Sequence, residues 1–409
     1  MIRPPSLRAA AITAAMAVSA AGPAMVHAQD SRAPCGTAPI AAESVRALAP
    51  VLRTLASGRW TPIHRQSAGD GITFRRQKHG GSAFDTRRRQ LVLFGSDTHA
   101  DGNGSDVPWI NSPLIFDLTT LRWHRAYPDD AVDSYAVTAE GIPVAGPRGD
   151  HPWAMHTFAA LAYDPVADAV VVASFPDHLR PGRFTDALAG VWPAIRRHPT
   201  WLFHPATATW QPLPGAGVSF FAYAITWVAD LCRVVGLRRD GIYARTPGGW
   251  RRLGEGGSLK WGANMVYDTA ARRLVALGRR QGRAVVAIID PASGQVMHTR
   301  PVHEAPWLGG QYVAMAYHPG LARTVALFDR PLAPGLKRRE RRRHRAETWT
   351  YDARTDAWSR ASVAPLPFGL GMNYNLAHVP GTDILLLVAD PPGGALTVWA
   401  LRLTPAEMP

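Results

Sequence analysis

The stretch Ala346–Arg360, AETWTYDARTDAWSR, predicts two short strands joined by a tight turn. Trp349 and Tyr351 alternate with polar threonines, which is the period of a strand with one buried face. The segment Asp352–Asp356 is rich in Asp and Thr, and such side chains favour turns because they hydrogen-bond to the nearby backbone. Trp358 then belongs to the second strand. We therefore interpret this stretch as one hairpin of a larger sheet.

The same order of features recurs along the chain: an apolar strand, an aromatic residue followed by Asp, a short turn, and a Trp. Two clear copies begin with ALAYDPVADAVVVASF at 160–175 and NMVYDTAARRLVALG at 264–278. Each copy predicts four strands, a to d. Strand a ends in the aromatic-Asp pair, as at Phe84-Asp85, Tyr163-Asp164 and Tyr267-Asp268, and strand d carries Trp123, Trp210, Trp250 or Trp358. A repeat of this period predicts an all-β fold built from similar units.

The first and last copies predict how the fold closes. The last copy supplies strands a to c and then the chain nearly stops, whereas LASGRWTPI at 55–63 precedes the first strand a and places Trp60 in a d-strand pattern. An N-terminal strand around Trp60 that completes the last blade would close a ring and remove exposed strand edges. We therefore predict an all-β, six-bladed β-propeller of four-stranded blades.

This pattern resembles the Kelch family of β-propellers, within the superfamily that also contains galactose oxidase. The resemblance rests on apolar runs ending in Gly at Leu91–Gly95 and Leu274–Gly278, on the aromatic-Asp pairs, and on the late Trp, whose place in the fourth copy is taken by Val296 or Met297. The family's double Gly after strand b is absent. The superfamily implies two enzyme types, a copper radical oxidase and sugar mutarotases or epimerases. The oxidase needs a Cys joined to a Tyr, and neither Cys35 nor Cys232 lies in a matching context.

The N-terminus predicts export. Met1–Ala28 has a basic start, a mildly apolar stretch and a small-x-small end, which is typical of a cleaved signal peptide. The alternative is an uncleaved membrane anchor, but the segment is less apolar than a spanning helix requires. We expect residues 1–28 to be a signal peptide, 29–54 a tail and 55–405 the propeller. The protein would be periplasmic or secreted, with no membrane span after cleavage. Cys35 and Cys232 could pair in that oxidising compartment, although sequence alone leaves the pairing open.

The chain is basic, with a formal net charge of +14. Such a charge favours anionic partners, for example an anionic polymer, but a solvated Arg-rich surface explains it equally well. The loop KRRERRRHR at 337–345 could bind phosphate or sulfate groups because Arg contacts them through two donors. The candidate anion-binding residues are Arg338, Arg339, Arg341, Arg342 and Arg343. No feature predicts specific nucleic-acid recognition, and we expect a monomer.

Strand order predicts one functional face. Because neighbouring strands run in opposite directions, the a–b and c–d turns lie on one side and the b–c and d–a connections on the other. The short turns all belong to the first group, while the long b–c loops at 96–112, 175–199 and 330–346 belong to the second. Long ordered loops on one rim are where binding usually occurs.

The residues that lead into each strand a should approach the central channel from that same face. Aromatic, amide and histidine side chains there suit a polyhydroxylated ligand, although each could equally serve only to fill the channel. The candidate ligand-binding residues are His79, Asp150, His151, Trp153, His156, Trp261, Asn264, Tyr312, Asn373, Tyr374 and Asn375.

Histidines in these loops are candidate metal ligands. His99, His178 and His198 lie in loops of the same rim, but a copper or zinc site needs several ligands that converge, and loop position does not establish convergence. The segment Asp97–Asp106 could wrap Ca²⁺, but it lacks the EF-hand Glu and is better interpreted as a polar surface loop. We therefore predict no metal site and no cofactor.

Together these features predict an exported propeller that binds a small polar, carbohydrate-like ligand or a protein partner on the face with the long b–c loops. The alternative is a sugar-modifying enzyme, mutarotase- or epimerase-like and less favourably a copper oxidase, at the channel mouth of that face. No nucleophile elbow or phosphate-binding glycine loop is present, and no catalytic residue is predicted.

Overall fold

The computed structural model describes Cys35 and residues 48–66, 78–99, 109–183, 185–213, 217–301, 312–335, 340–391 and 395–409, with side chains at all of these except 298–301 and 341. The predicted signal peptide at 1–28 lies outside the described residues. Among the described residues, the helix α1 (Pro50–Arg53) spans a single turn, and no helix has the length and apolarity needed to cross a membrane.

Six antiparallel sheets of four strands form the protein. Blade 1 contains β2 (Gly81–Asp85), β3 (Gln90–Phe94), β4 (Leu114–Asp117) and β5 (Arg122–Arg125). Blade 2 contains β8 (Leu161–Asp164), β9 (Ala169–Val172), β10 (Trp201–His204) and β11 (Thr209–Pro212). Blade 3 contains β12 (Ala224–Val228), β13 (Arg233–Leu237), β14 (Ile242–Thr246) and β15 (Gly249–Gly254). Between blades 1 and 2 a small ribbon is formed by β6 (Ala136–Val137) and β7 (Pro143–Val144).

The second half of the ring repeats this plan. Blade 4 contains β16 (Asn264–Asp268), β17 (Arg273–Arg280), β18 (Arg283–Ile289) and β19 (Val296–Pro301). Blade 5 contains β20 (Ala314–His318), β21 (Arg323–Pro331), β22 (His344–Asp352) and β23 (Ala357–Arg360). Blade 6 contains β24 (Leu376–Val379), β25 (Ile384–Ala389), β26 (Thr397–Arg402) and β1 (Thr61–Arg65).

The predicted ring closure is confirmed. Strand β1 pairs antiparallel with β26, with Thr61 opposite Ala400. Trp60, immediately before β1, is buried, and its indole Nε1 donates a hydrogen bond to the hydroxyl of Thr348 in blade 5 at 3.0 Å. The innermost strands of the six blades contact one another in order, and β24 of the last blade contacts β2 of the first. The six-bladed, all-β prediction therefore holds.

The opening hairpin is formed as predicted, but it is buried more fully than its alternation suggests. Tyr351 on β22 lies opposite Trp358 on β23, and the Tyr351 hydroxyl donates to Asp356 in the turn. The intervening Thr348 and Thr350 are also buried. A blade packs against a neighbouring blade on each side, so both faces of its inner strands are buried. The alternation of residues therefore distinguishes the two neighbouring blades and does not distinguish core from solvent.

The a–b turns are joined to one another by ion pairs. Arg88 after β2 donates to both carboxylate oxygens of Asp168 after β8, at 2.7 and 2.6 Å. Arg245 of β14 reaches Asp164 of β8, and Arg272 after β16 reaches Asp230 after β12 at 2.6 Å. Cys35 and Cys232 form a disulfide that attaches the N-terminal tail to the a–b turn of blade 3. This face is thus a structural one.

The basic loop of blade 5 is shorter than the predicted range 330–346. Strands β21 and β22 extend to Pro331 and back to His344, because their backbones remain paired well beyond the blade core. Arg338 and Arg339 lie outside the described residues. Residues Arg341–Arg343 form a short 3₁₀ turn, in which Arg343 pairs with Glu340 at 3.5 Å. The anion-binding role of this loop stays a prediction.

Candidate functional site

Four side chains from three separate connections converge where the axis of the ring opens onto the b–c face. His79 lies in the link that enters β2, Asp97 and His99 lie in the b–c loop after β3, and His156 lies in the link that enters β8. Each offers one nitrogen or oxygen atom, and these four atoms all lie within 4.8 Å of one another. We call this set the channel-mouth cluster. His178, from the b–c loop of blade 2, lies against it with its ring centroid 3.7 Å from that of His156.

Asp97 organises one side of the cluster. Its Oδ1 accepts a hydrogen bond from Nδ1 of His99 at 2.6 Å and lies 3.7 Å from Nε2 of His79. Its Oδ2 accepts from the ammonium group of Lys78 at 2.6 Å. Asp97 can therefore either bind a metal directly or orient His99 so that the opposite nitrogen of that ring faces the cluster centre.

His79 and His156 are buried, and three of their four ring nitrogens lack a hydrogen-bond partner among the described residues. His79 is 5 % exposed and His156 is fully buried, and their rings stack with centroids 4.1 Å apart. Both ring nitrogens of His79, and Nδ1 of His156, lack a hydrogen-bond partner among the described residues. Each buried polar atom left without a partner costs about 1–3 kcal/mol. Such groups are retained in a fold mainly where a ligand or a function compensates for the cost.

Threonine 98 supports His156 from behind. The Thr98 hydroxyl lies 2.8 Å from Nε2 of His156, and the Thr98 backbone N–H donates to the same nitrogen at 3.1 Å. Because the Thr98 backbone N–H donates to Nε2, that nitrogen is the acceptor of the neutral ring and Nδ1 carries the proton. Binding of a metal through Nδ1 would require the other tautomer, in which Nε2–H donates to the Thr98 hydroxyl.

Burial keeps these imidazoles neutral. Desolvation lowers the pKa of His79 to about 3, against the opposing attraction of Asp97. Desolvation likewise lowers the pKa of His178 to about 3 and holds that of His156 well below its ordinary value. Burial alone would raise the pKa of Asp97, but hydrogen bonds from His99 and Lys78 outweigh it and lower that pKa. At neutral pH the cluster therefore offers imidazole lone pairs and one carboxylate.

This donor set suits a divalent transition metal. Imidazole nitrogens with a carboxylate are typical ligands of zinc, copper, iron and nickel, whereas Ca²⁺ and Mg²⁺ prefer oxygen ligands throughout. The only cysteines of the chain are joined in the disulfide, so no thiolate competes. The sequence predicts no metal site, because loop position does not establish that the histidines converge. In the structure, His79, Asp97, His99 and His156 do converge.

An aromatic group borders the cluster on the remaining side of the channel mouth. It is built from one residue of each link that enters the innermost strands of blades 2 to 6, and we call it the aromatic collar: Phe158, Phe221, Trp261, Tyr312 and Tyr374. Phe158 contacts His79 edge-on, at 5.3 Å between ring centroids, and Phe221 lies 5.0 Å from His178. Trp261, whose ring lies 6.1 Å from that of Tyr312, is 47 % exposed.

A repeated backbone turn aims these links at the axis. His79, Phe158 and Ala222 all have positive φ, at 66°, 50° and 58°, two or three residues before an innermost strand. The carbonyl of His79 accepts hydrogen bonds from the backbone N–H groups of Thr157 and Phe158, so each link rests on the next. A Cβ at position 81 would lie 2.0 Å from the carbonyl oxygen of Phe158, which is why glycine follows this turn.

The structure separates eight of the predicted ligand-binding residues into three groups. His79 and His156 belong to the channel-mouth cluster, and Trp261, Tyr312 and Tyr374 belong to the collar. Asn264 and Asn373 use their amide N–H groups on the backbone carbonyls of Val313 and Val388, and Asn375 is fully buried. These amides hold neighbouring backbone in place.

Three predicted ligand-binding residues of the blade 1–2 link make contacts within the chain. Trp153 is fully buried, and its indole donates to the carbonyl of Val144, so no ligand on the surface contacts it. His151 stacks on Tyr127 with centroids 3.8 Å apart and pairs with Asp130 at 2.8 Å. Asp150 pairs with Arg148 at 2.8 Å. This link folds into its own apolar cluster around Trp153, because it is long enough to pack on itself.

Sequence reasoning missed Asp97, His99 and Lys78 as members of one site. The signal was present: the b–c loop after β3 and the link that enters β2 lie on the same face of the same blade. His99 and His178 were noted on that rim, but the distance between loops of adjacent blades depends on loop conformation. Phe158 occupies the same position before an innermost strand as His79, and Phe221 lies one residue before that position in the next link.

Comparison with known proteins identifies no family for this chain. No family model matches the chain, and no curated protein matches it. Solved structures that resemble it include a protein of unknown function from Bacteroides thetaiotaomicron, at 10% identity and a TM-score of 0.47 over 83% of this chain and 75% of that chain. Hydrazine synthase of Kuenenia stuttgartiensis matches at 13% identity and a TM-score of 0.45, over 79% and 77%.

A luciferin-regenerating enzyme also matches, at 10% identity and a TM-score of 0.42, over 85% of this chain and 97% of that chain. At such identities the similarity concerns the fold alone. The number of blades rests on the chain's own sheets, and the Kelch assignment stays a prediction.

Proposed function

We propose that this protein is a metal-binding propeller, whose channel-mouth cluster holds one divalent transition-metal ion of the zinc type and uses it to bind a small ligand. The observation that carries this proposal is the convergence of His79, Asp97, His99 and His156, with ligand atoms within 4.8 Å of one another. The ligating groups would be the three imidazoles, with Asp97 either as a fourth ligand or as the partner that orients His99.

The balance of polar groups supports this proposal over a purely structural role. Three buried nitrogens of His79 and His156 lack hydrogen-bond partners among the described residues. A buried site without a ligand would then carry an uncompensated cost of several kcal/mol, at about 1–3 kcal/mol for each atom. A bound metal ion would satisfy one nitrogen of each ring directly.

The position of the cluster supports ligand binding at the metal. It lies on the face that carries the long b–c loops, and the exposed Trp261 stands at the same mouth. Ligand binding on this face was the function predicted from sequence. Binding of a protein partner there, export to the periplasm or beyond, and a monomeric state stay predictions.

The second candidate is an enzyme that uses the same centre. A zinc-bound water has a pKa near 7 in catalytic sites, so the same centre could supply a nucleophile at neutral pH. The sugar-modifying enzyme considered from sequence would be one such enzyme. If it worked through this centre, it would first have to bind the metal. Metal binding is therefore the property to test first.

The test is a zinc titration of chelator-treated protein by calorimetry. Wild type should bind one Zn²⁺ per chain with a dissociation constant at or below the micromolar range. His99→Ala, at a side chain that is 27 % exposed, should keep its fold by circular dichroism and bind at least tenfold more weakly. His124→Ala, an exposed histidine of β5, is the matched control and should bind as wild type does. Failure of wild type to bind zinc, or equal binding by His99→Ala, would refute the proposal.

A further inference from the structure

The charges around the channel-mouth cluster are mostly positive. Lys78 contacts Asp97 at 2.6 Å, yet its side chain is 53 % exposed, so the ammonium group also faces solvent at the mouth. The positive charge of Arg183 acts on His178 from the b–c loop of blade 2, and the Arg183 side chain is exposed. Among the described residues, Asp97 is the one carboxylate of the cluster, and it is already engaged by Lys78 and His99.

A bound divalent ion would add two further positive charges. The neutral imidazoles offset none of this charge, and the single carboxylate is balanced by Lys78. The centre would then attract an anion, and a carboxylate or phosphate oxygen could bind the metal while it accepts a hydrogen bond from Lys78.

The other wall of the mouth is apolar. Trp261 is 47 % exposed, and Tyr312, 6.1 Å from it between ring centroids, is partly exposed. Phe221 is partly exposed beside His178. A sugar needs several free hydrogen-bonding groups, but the amides of Asn264 and Asn373 bind backbone carbonyls. A flat apolar body would stack on exposed aromatic rings without such groups.

We propose, on the basis of the metal-binding function above, that the ligand of this centre is a small aromatic oxyanion. Its carboxylate or phosphate oxygen binds the metal and Lys78, and its ring contacts Trp261 and the neighbouring collar. The shared chemistry is a negatively charged oxygen group attached to a planar apolar body. This differs from the carbohydrate-like ligand expected from sequence.

The experiment measures binding of four probes to protein verified to hold one Zn²⁺ per chain: benzoate, phenylphosphonate, acetate and benzyl alcohol. Benzoate or phenylphosphonate should bind at least tenfold more tightly than both acetate, which lacks the ring, and benzyl alcohol, which lacks the charge. The stronger of the two anions tells a carboxylate site from a phosphate site. Zinc-free protein should bind all four weakly.

Two variants test the assigned contacts at full zinc occupancy. Lys78→Met should weaken binding of the aromatic anion about tenfold. Trp261→Ala should weaken it similarly while acetate binding stays the same, and Arg122→Met, at an exposed cation of β5, should change nothing. Zinc binding without any preference for the aromatic anions would overturn this inference and leave the proposed function standing. Absence of zinc binding would overturn both.

Discussion

His79 combines three features that a purely structural histidine has little reason to combine. It is buried, neither of its ring nitrogens has a hydrogen-bond partner among the described residues, and its backbone has a φ of 66°. Left-handed backbone is uncommon for residues other than glycine, although His, Asn and Asp adopt it more readily than most. Strained residues cluster at functional sites because surrounding structure must hold them there.

These features predict an unusual result for His79→Asn. In metal-free protein the free energy of unfolding should change by no more than about 1 kcal/mol, because the lost ring made no hydrogen bonds and Asn tolerates the backbone angle. The rise in melting temperature that zinc gives wild type should be lost. Denaturant unfolding with and without zinc measures both effects.

His318→Asn is the matched control for this prediction. His318 is also fully buried, but its Nδ1 accepts a hydrogen bond from the backbone N–H of Leu321. Its replacement should cost about 1–3 kcal/mol in metal-free protein. If His79→Asn were equally destabilising without zinc, the His79 ring would be a structural element rather than a vacant ligand.

Sequence position identified some site residues and misled at others for a physical reason. His79 and Tyr374 lie just before innermost strands, where the backbone direction is set by the blade, so their place at the mouth followed from topology. Trp153 lies in a long link, and a long link can bury its own aromatic residue. Residue type alone does not distinguish these cases.

At the scale of the element, the a–b turns and the connections on the opposite face have different roles. The a–b turns are short and carry paired charges, as in Arg88 with Asp168, while the b–c loops and the links into innermost strands carry the cluster. Antiparallel pairing fixes which connections share a face, so the division between the faces was predictable. The extension of β21 and β22 beyond the blade was not, because the basic sequence there has no strand pattern.

The turn-to-turn ion pair gives a pH-dependent prediction. The hydrogen bond from Arg88, aided by one from Tyr163 and opposed by burial, lowers the pKa of Asp168 below its ordinary value. A carboxyl whose pKa is lower in the folded state stabilises the fold above its unfolded pKa of about 4 and loses that contribution as the pH falls below it. Asp168→Asn should therefore cost about 1–2 kcal/mol at pH 7.

The difference between wild type and Asp168→Asn should shrink at pH 3, measured by urea unfolding at both pH values. The exposed Asp133, in a 3₁₀ turn, provides the control Asp133→Asn, which should be neutral at both. A difference that stayed constant from pH 7 to pH 3 would show that the carboxylate charge of Asp168 does not stabilise the contact between blades 1 and 2.

At the scale of the whole molecule, two links attach the N-terminal segment to the ring. Strand β1 completes blade 6 through its pairing with β26, and the disulfide joins Cys35 to Cys232, 197 residues away. The strand closure was predictable because the last sequence repeat lacked one strand. The sequence does not predict whether the disulfide forms, since the separation of the two cysteines in space depends on the path of the tail.

Removing the disulfide should lower stability and leave the metal site intact. A cross-link that closes a loop this long restricts the unfolded chain, and loss of a native disulfide typically costs about 2–4 kcal/mol. Cys35→Ser with Cys232→Ser should show that loss in chemical unfolding. Cys232 lies in an a–b turn, on the face away from the cluster, so zinc affinity should be unchanged. If the double variant also lost zinc binding, the a–b face and the metal site on the opposite face would not be independent, which would contradict this account.

The most direct measurement of the central claim is anomalous X-ray diffraction at the zinc edge from crystals of zinc-loaded protein. The account predicts one dominant peak per chain, about 2.0–2.2 Å from nitrogen atoms of His79, His99 and His156, with Asp97 bound to the metal or to His99. A peak at any other place in the chain, or no peak between these side chains at full zinc occupancy, would contradict it.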